Sequence, residues 1–217
     1  MIRFESVLNG RDNQVIPILL EIHCDVENPK ILDCTYNSGK IWKNLNYKPL
    51  RMDINKELDL DIIGDFMNMP FKNDSFDVIV FDPPFLPTNA ASKNSSLIYK
   101  ETYGITGNDY YRNGDNVSDL FKPFLLEAKR VLRKDGIILA KIQDLTHNHR
   151  SHWQHVDFIN KVNELEMTPC DMLIKHDPCG GNLKSSKWKN VKHLRKVHSY
   201  WIFVRNSNKC ECKKILN

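Results

Sequence analysis

The chain has 217 residues, of which 41% are hydrophobic and 27% charged, and its formal net charge is +4. This length suits one domain with a substantial core, so we predict a single domain over residues 1–217. The apolar runs are too short for a membrane span, and the first residues have no signal-peptide core, so we expect a cytoplasmic protein with six free cysteines and no membrane contact.

Short apolar runs and polar turns alternate in the first half of the chain, which is typical of a parallel α/β sheet. A helix is predicted at about residues 13–23, with Asn13 as its N-cap. Three short strands follow, at residues 30–33, 49–53 and 62–66. The turn of small residues at 34–39 precedes a predicted helix start at residues 40–43, which can place a ligand against free backbone N–H groups.

The central feature of the sequence is the apolar run at residues 78–81, followed by Asp82, Pro83, Pro84 and Phe85. The run predicts a strand buried on both faces, and the prolines end it and fix the backbone where open α/β sheets bind ligands. The Asp82 carboxylate and the Pro83 carbonyl can accept two hydrogen bonds from an exocyclic amine. Phe85 offers a face for stacking a base, worth about 1–3 kcal/mol.

The second half of the chain continues the alternation, interrupted by two long irregular segments. These segments, at about residues 86–116 and 176–197, are predicted loop insertions. An amphipathic helix begins at Ser118. Further elements are predicted at residues 137–142 (strand), 151–166 (helix), 171–175 (strand) and 198–205 (final strand). A short flexible tail is expected from about residue 206.

Asp82-Pro83-Pro84-Phe85 after an apolar strand resembles motif IV of the class I S-adenosylmethionine-dependent amino-methyltransferases, above all the DNA N6-adenine methyltransferases. Residues 33–39 resemble the cofactor loop of that family, Asp-x-x-x-Gly-x-Gly, with Asn37 in place of the first glycine. Asparagine tolerates the positive φ that the loop needs. The resemblance implies a Rossmann-like class I methyltransferase fold: a mostly parallel sheet of about seven strands with helices on both faces, the final strand being an antiparallel edge strand.

The resemblance also implies S-adenosylmethionine as cofactor and assigns roles to residues at the ends of the predicted strands. Asp33 would order the loop and contact the cofactor, directly or through water, and Asp53 would accept hydrogen bonds from the ribose hydroxyls. Asp65 would bind the adenine amino group of the cofactor. The remaining predicted cofactor residues are Thr35, Asn37 and Gly39, which line the loop, and Phe66, which packs against the adenine ring.

Histidines cluster around the start of the helix predicted at residues 151–166, and we interpret them as a polar rim and expect no metal. They are His147, His149, His152 and His155.

Tyrosines among basic residues, and a basic run that carries a tryptophan, predict nucleic-acid contacts in the two loop insertions. The candidate residues are Tyr103, Tyr110, Arg112, Lys187, Trp188, Lys189, Lys192 and Arg195. We favour methylation of N6 of adenine in DNA. A ribosomal or transfer RNA amino-methyltransferase, or a non-catalytic nucleic-acid-binding subunit of a methyltransferase complex, remains open. No separate recognition domain fits, so target recognition is expected to fall to the two loop insertions, or to a partner subunit or homodimer.

Overall fold

The computed structural model describes residues 5–85, 117–147, 150–176, 194 and 196–209. In chain order, the elements of these ranges are β1 (Val7–Asn9), α1 (Asp12–His23), β2 (Ile31–Asp33), β3 (Leu50–Asp53), β4 (Ile62–Ile63), β5 (Phe76–Phe81), α2 (Phe121–Val131), β6 (Leu132–Ile142), β7 (Leu145–His147), β8 (Arg150–His152), α3 (Gln154–Glu164), β9 (Thr168–His176) and β10 (His198–Arg205). Short 3-10 turns lie at Lys40–Trp42 and Val117–Leu120. No helix within the described ranges is long and apolar enough to cross a bilayer.

Eight strands form one sheet in the order β1-β9-β10-β6-β5-β2-β3-β4, and β7 and β8 form a separate hairpin. The five neighbouring strands β6, β5, β2, β3 and β4 pair in parallel, as do β1 and β9. Strand β10 is antiparallel to both of its neighbours, β6 and β9. All six residues of β5 are buried, as expected for an apolar strand covered on both faces. The predicted mostly parallel sheet is confirmed.

Helices cover both faces of this sheet, each over its own hydrophobic cluster. On one face, α1 packs through Val15, Ile16, Leu19 and Leu20 against side chains that include Val78, Val80 and Trp201. On the other face, α2 and α3 pack through Phe121, Phe124 and Phe158 against side chains that include Ile79 and Phe81. Successive residues of β5 therefore contribute to opposite cores, as the alternation of side chains along a strand requires.

The sheet differs from the prediction at its β1 edge. It has eight strands rather than about seven, because β1 adds to the edge by pairing in parallel with β9, with Val7 opposite Ile174. The final strand β10 is antiparallel as predicted, but it is not an edge strand, since it lies between β6 and β9. Strand β1 has three residues and none of them is fully buried, so it leaves no apolar run in the sequence.

Several further boundaries differ from the prediction. The N-cap of α1 is Arg11 and not Asn13, and the strand predicted at residues 137–142 begins at Leu132. The expected helix after the loop at residues 34–39 is the single 3-10 turn Lys40–Trp42. The predicted helix at residues 151–166 begins only at Gln154, because the hairpin of β7 and β8 precedes it. The predicted tail is held at its start, since Asn206 bonds through its main chain and side chain to the first residues of β6.

Candidate active site

The backbone of the Asp82-Pro83-Pro84-Phe85 segment is fixed to the loop that follows β2. The Asp82 N–H donates to Thr35 Oγ1 over 2.7 Å. Both prolines are buried, whereas Asp82 and Phe85 are partly exposed. The segment therefore presents its acidic and aromatic side chains at the carboxyl edge of the sheet, beside the predicted cofactor loop.

Asp33 is fully buried and orders this loop from within. Its carboxylate accepts hydrogen bonds from the Thr35 N–H (3.0 Å) and from the Trp42 indole N–H (2.6 Å). Burial raises the pKa of Asp33 to about 7, although both hydrogen bonds oppose the shift. The structure thus accounts for the loop-ordering role, while the complete burial of Asp33 leaves no surface for the direct cofactor contact that was also predicted.

Asn37 and Gly39 both have left-handed backbone, with φ of 46° and 62°. Asn37 therefore adopts the conformation for which asparagine was expected to replace glycine. The left-handed φ favours glycine at position 39, and a Cβ atom there would also displace the Tyr36 ring.

Asp53 joins the loop to β3. Its Oδ2 accepts the Asn37 N–H over 2.8 Å and its Oδ1 accepts the Asn55 N–H over 2.9 Å. Burial raises the pKa of Asp53, against the effect of these bonds. The carboxylate is partly exposed at a strand end, where it retains lone pairs for ligand hydroxyls.

Asp65 and Phe66 lie after β4 and differ in their surroundings. Asp65 is partly exposed, and its Oδ1 accepts the Met67 N–H over 2.7 Å. Phe66 is 4% exposed and packs edge-on against Phe81 and Phe124. The prediction that Phe66 packs against the adenine ring is therefore corrected: its ring belongs to the core, because the apolar α2 face covers it.

A buried network of ion pairs adjoins Asp82, and none of its other members was predicted from the sequence. Lys141 Nζ lies 3.1 Å from Asp82 Oδ2 and 3.1 Å from Asp12 Oδ2. Asp12 Oδ2 also lies 3.4 Å from Lys175 Nζ, and Asp12 Oδ1 accepts the Trp201 indole N–H over 3.1 Å. Lys141 Nζ is in addition 5.5 Å from the centre of the Phe85 ring.

The two-residue period of the strands explains why these side chains meet. Val78 and Val80 of β5 face the α1 helix, so Asp82, two residues further, points to the same side. Lys141 of β6 follows Leu139, and Lys175 of β9 follows Leu173, which face α1 as well. A lysine inside the apolar run of β6 was the one signal in the sequence that pointed to this network.

Burial and charge interactions within the network shift the pKa values of the two acids in different directions. Burial raises the pKa of Asp82, and the pairing with Lys141 opposes this effect. Burial also acts to raise the pKa of Asp12, but Lys141 and Lys175 outweigh it and the net shift is downward. For Lys141, burial disfavours the charge, yet Asp82 and Asp12 outweigh burial and raise its pKa.

A second polar cluster borders the Phe85 side of the site. The Gln154 side-chain amide donates to the Phe85 carbonyl over 3.4 Å. The neighbouring His155 bonds through Nδ1 to the buried Asp144 Oδ1 over 2.7 Å and stacks on Tyr200, with 4.1 Å between ring centres. Among the histidines predicted to form a polar rim, His155 thus makes defined contacts with Asp144 and Tyr200, whereas His149 lies outside the described residues.

All eight residues predicted to contact nucleic acid lie outside the described residues. The structure therefore brings together the predicted catalytic residues and most of the predicted cofactor residues, and the proposed nucleic-acid contacts stay predictions.

No family model matches the sequence, and no curated protein is significantly similar to it. Solved structures are similar in fold. A SAM-dependent methyltransferase from Methanosarcina mazei is 14% identical, with a TM-score of 0.54 over 93% of this chain and 100% of that one. A complex of the Trm112 methyltransferase activator and a methyltransferase from Haloferax volcanii contains a chain that is 16% identical, with a TM-score of 0.55 over 90% of this chain and 89% of that one.

A DNA modification methylase from Thermus thermophilus is 14% identical, with a TM-score of 0.42. The similar part covers 76% of this chain but only 56% of that methylase, so this chain spans little more than half of its length. The sheet order, the helices on both faces and the similarity to the Methanosarcina structure agree: the chain has the Rossmann-like fold of the class I methyltransferases.

Proposed function

We propose that this chain is an S-adenosylmethionine-dependent methyltransferase that acts on an exocyclic amine of a nucleobase, with N6 of adenine in DNA as the favoured acceptor. The proposal rests on the hydrogen bonding of the two carboxylate oxygens of Asp82. Its Oδ2 is held by Lys141, and its Oδ1 makes no hydrogen bond to the described residues. A carboxylate oxygen is thus open as an acceptor beside the partly exposed Phe85 ring.

The residues around the loop fit the proposed cofactor. Carboxylates follow two neighbouring parallel strands at one edge of the sheet, Asp53 at β3 and Asp65 just beyond β4, and both are partly exposed. Carboxylates are the acceptors that ribose hydroxyls and an adenine amino group require. Asn37 and Gly39 hold the intervening loop in left-handed backbone, which allows close approach to a ligand.

The reaction requires positioning more than acid–base chemistry. When bound, S-adenosylmethionine would supply an electrophilic methyl group, whose bond to sulfur breaks as the neutral amine nitrogen bonds to it, leaving S-adenosylhomocysteine, with no prior deprotonation of the amine. Asp82 Oδ1 and the Pro83 carbonyl would each accept one N–H of the amine, which draws its nitrogen toward tetrahedral geometry and directs its lone pair. Phe85 would stack on the base, and Asp82 would accept the proton that the charged nitrogen releases.

Target recognition would fall to the segments at residues 86–116 and 176–197, or to a partner subunit or second copy of the chain. A base in duplex DNA would have to leave the helix, at a cost of a few kcal/mol that stacking on Phe85 offsets in part.

The test is transfer of a labelled methyl group. The purified protein is incubated with methyl-labelled S-adenosylmethionine and, separately, with duplex DNA, single-stranded DNA and structured RNA, and the labelled nucleoside is identified after digestion. Label on N6 of adenine in DNA supports the proposal. Label on RNA alone moves the assignment to an RNA amino-methyltransferase. Cofactor binding without label in any nucleic acid contradicts nucleobase methylation by the chain alone, and a chain that binds nucleic acid but no cofactor is a non-catalytic subunit.

A further inference from the structure

Lys141 contacts both functional side chains of the Asp82-Pro83-Pro84-Phe85 segment. Its ammonium nitrogen is 3.1 Å from Asp82 Oδ2 and 5.5 Å from the centre of the Phe85 ring. The Lys141 side chain is only 13% exposed, and a lysine is rarely buried to this extent unless it is paired. Its pairing with Asp12 alone would satisfy the charge, so the contact with Asp82 is an additional feature of the site.

We infer that Lys141 is a positioning residue for Asp82: it holds one carboxylate oxygen and so turns the other oxygen toward the acceptor amine. The inference rests on the proposed function for its catalytic meaning. The contact between the two side chains does not depend on that function and can be measured separately.

The charges around Asp82 make this role necessary. Burial raises the pKa of Asp82, and the nearby Asp12 on α1 disfavours its ionisation further. Lys175 on β9 acts from a greater distance, since its ammonium group bonds to Asp12. Lys141 is thus the cation in direct contact with Asp82 among the described residues.

Loss of Lys141 would leave Asp82 partly buried among acids, so Asp82 would hold its proton to higher pH. A protonated carboxyl group is a poorer acceptor for the amine N–H, so methyl transfer would fail at the acid side of the pH profile. A merely structural role for Lys141 would lower stability without moving this profile.

The first experiment compares the wild type with Lys141→Met and Lys141→Arg. The ¹³C carboxyl signal of Asp82, identified with Asp82→Asn, is titrated by NMR, and the rate of methyl transfer is measured over the same pH range. We expect Lys141→Met to raise the pKa of Asp82, to move the acid limb of kcat to higher pH, and to lower kcat about 10- to 100-fold near pH 7. Lys141→Arg should restore most of the titration behaviour.

The second experiment should change the pKa of Asp82 in the opposite direction. In Asp12→Asn, Lys141 keeps Asp82 as its acidic partner while a like charge disappears, so the pKa of Asp82 should fall. Lys175→Met is the matched control, because it removes a buried lysine of the same network that makes no bond to Asp82, and its effect on the Asp82 titration should be smaller than that of Lys141→Met. If Lys141→Met does not fold, Lys141→Gln takes its place, because its amide can still bond to Asp12 and Asp82 but carries no charge.

An Asp82 titration that is unchanged in Lys141→Met, or that rises in Asp12→Asn, overturns the inference. So does an equal shift in Lys141→Met and Lys175→Met. If the wild type transfers no methyl group but the titrations shift as expected, the proposed function fails and the coupling of Lys141 to Asp82 stands.

Discussion

Asp33 shapes the candidate site from a buried position, through hydrogen bonds to the residues that line it. Its carboxylate is fully buried, yet it fixes the Thr35 N–H and the Trp42 indole, and Thr35 in turn bonds the Asp82 N–H. The loop after β2 and the segment after β5 therefore share a chain of hydrogen bonds that begins at Asp33. Replacing Asp33 should displace the loop and this segment together.

The raised pKa of Asp33, about 7 in the folded protein against an ordinary value of 3.8, predicts a pH-dependent stability. The folded state binds more protons than the unfolded state between these values, so the contribution of Asp33 to stability is greatest below about pH 4 and is lost as pH rises to about 7. Asp33→Asn removes this titration. Urea unfolding of both proteins from about pH 4 to 8 should show the stability of the wild type declining relative to Asp33→Asn as pH rises. A constant difference would show that Asp33 is ionised in the fold throughout.

Strand β5 is the element on which both the core and the site depend. It lies between β6 and β2, all its residues are buried, and its carboxyl end leads directly into Asp82. On its α2 face, Phe81 stacks on Phe124 with 3.7 Å between ring centres and 7° between planes. The packing that fixes the end of β5 therefore also fixes the position of the acidic residue that follows it.

Phe81→Ala should destabilise the protein by roughly 3–5 kcal/mol, because it removes a fully buried ring that also contacts Phe66. Phe81→Leu should cost less, since it fills much of the space. The control is Leu126→Ala on α2, whose side chain is 49% exposed, with an expected change within about 0.5 kcal/mol. Denaturant unfolding measures all three. A cost of Phe81→Ala close to that of Leu126→Ala would show that the ring pair is not part of a tight core.

The central elements could be predicted from the sequence because each carries a strong local signal. The apolar run of β5, the apolar periodicity of α1 and α2, and the aspartates that follow successive strands all depend on neighbours close in the chain. Strand β1 and the hairpin of β7 and β8 lack such signals, since they are three-residue strands whose partners are set by tertiary pairing. The internal position of β10 likewise depends on sheet order and not on its own residues.

The site as a whole is assembled from both ends of the chain. Asp12 comes from the first helix, Asp82 from the centre, Lys141 from β6 and Lys175 from β9, and all meet on the α1 face of the sheet. The motif at residues 82–85 could be recognised because it is contiguous. The ion pairs around it could not, because they join residues far apart in the chain and follow from the strand period only once sheet order is known.

In the proposed function, Asp82 acts on the acceptor and not on the cofactor. The most direct test measures S-adenosylmethionine affinity by calorimetry and single-turnover methyl transfer, in the wild type and in Asp82→Ala, with the acceptor identified by the labelling assay. We expect Asp82→Ala to lose methyl transfer by at least about 100-fold while its cofactor affinity changes little. Equal loss of cofactor affinity and of transfer, or transfer that persists in Asp82→Ala, would contradict the assignment of Asp82 as the acceptor-binding residue.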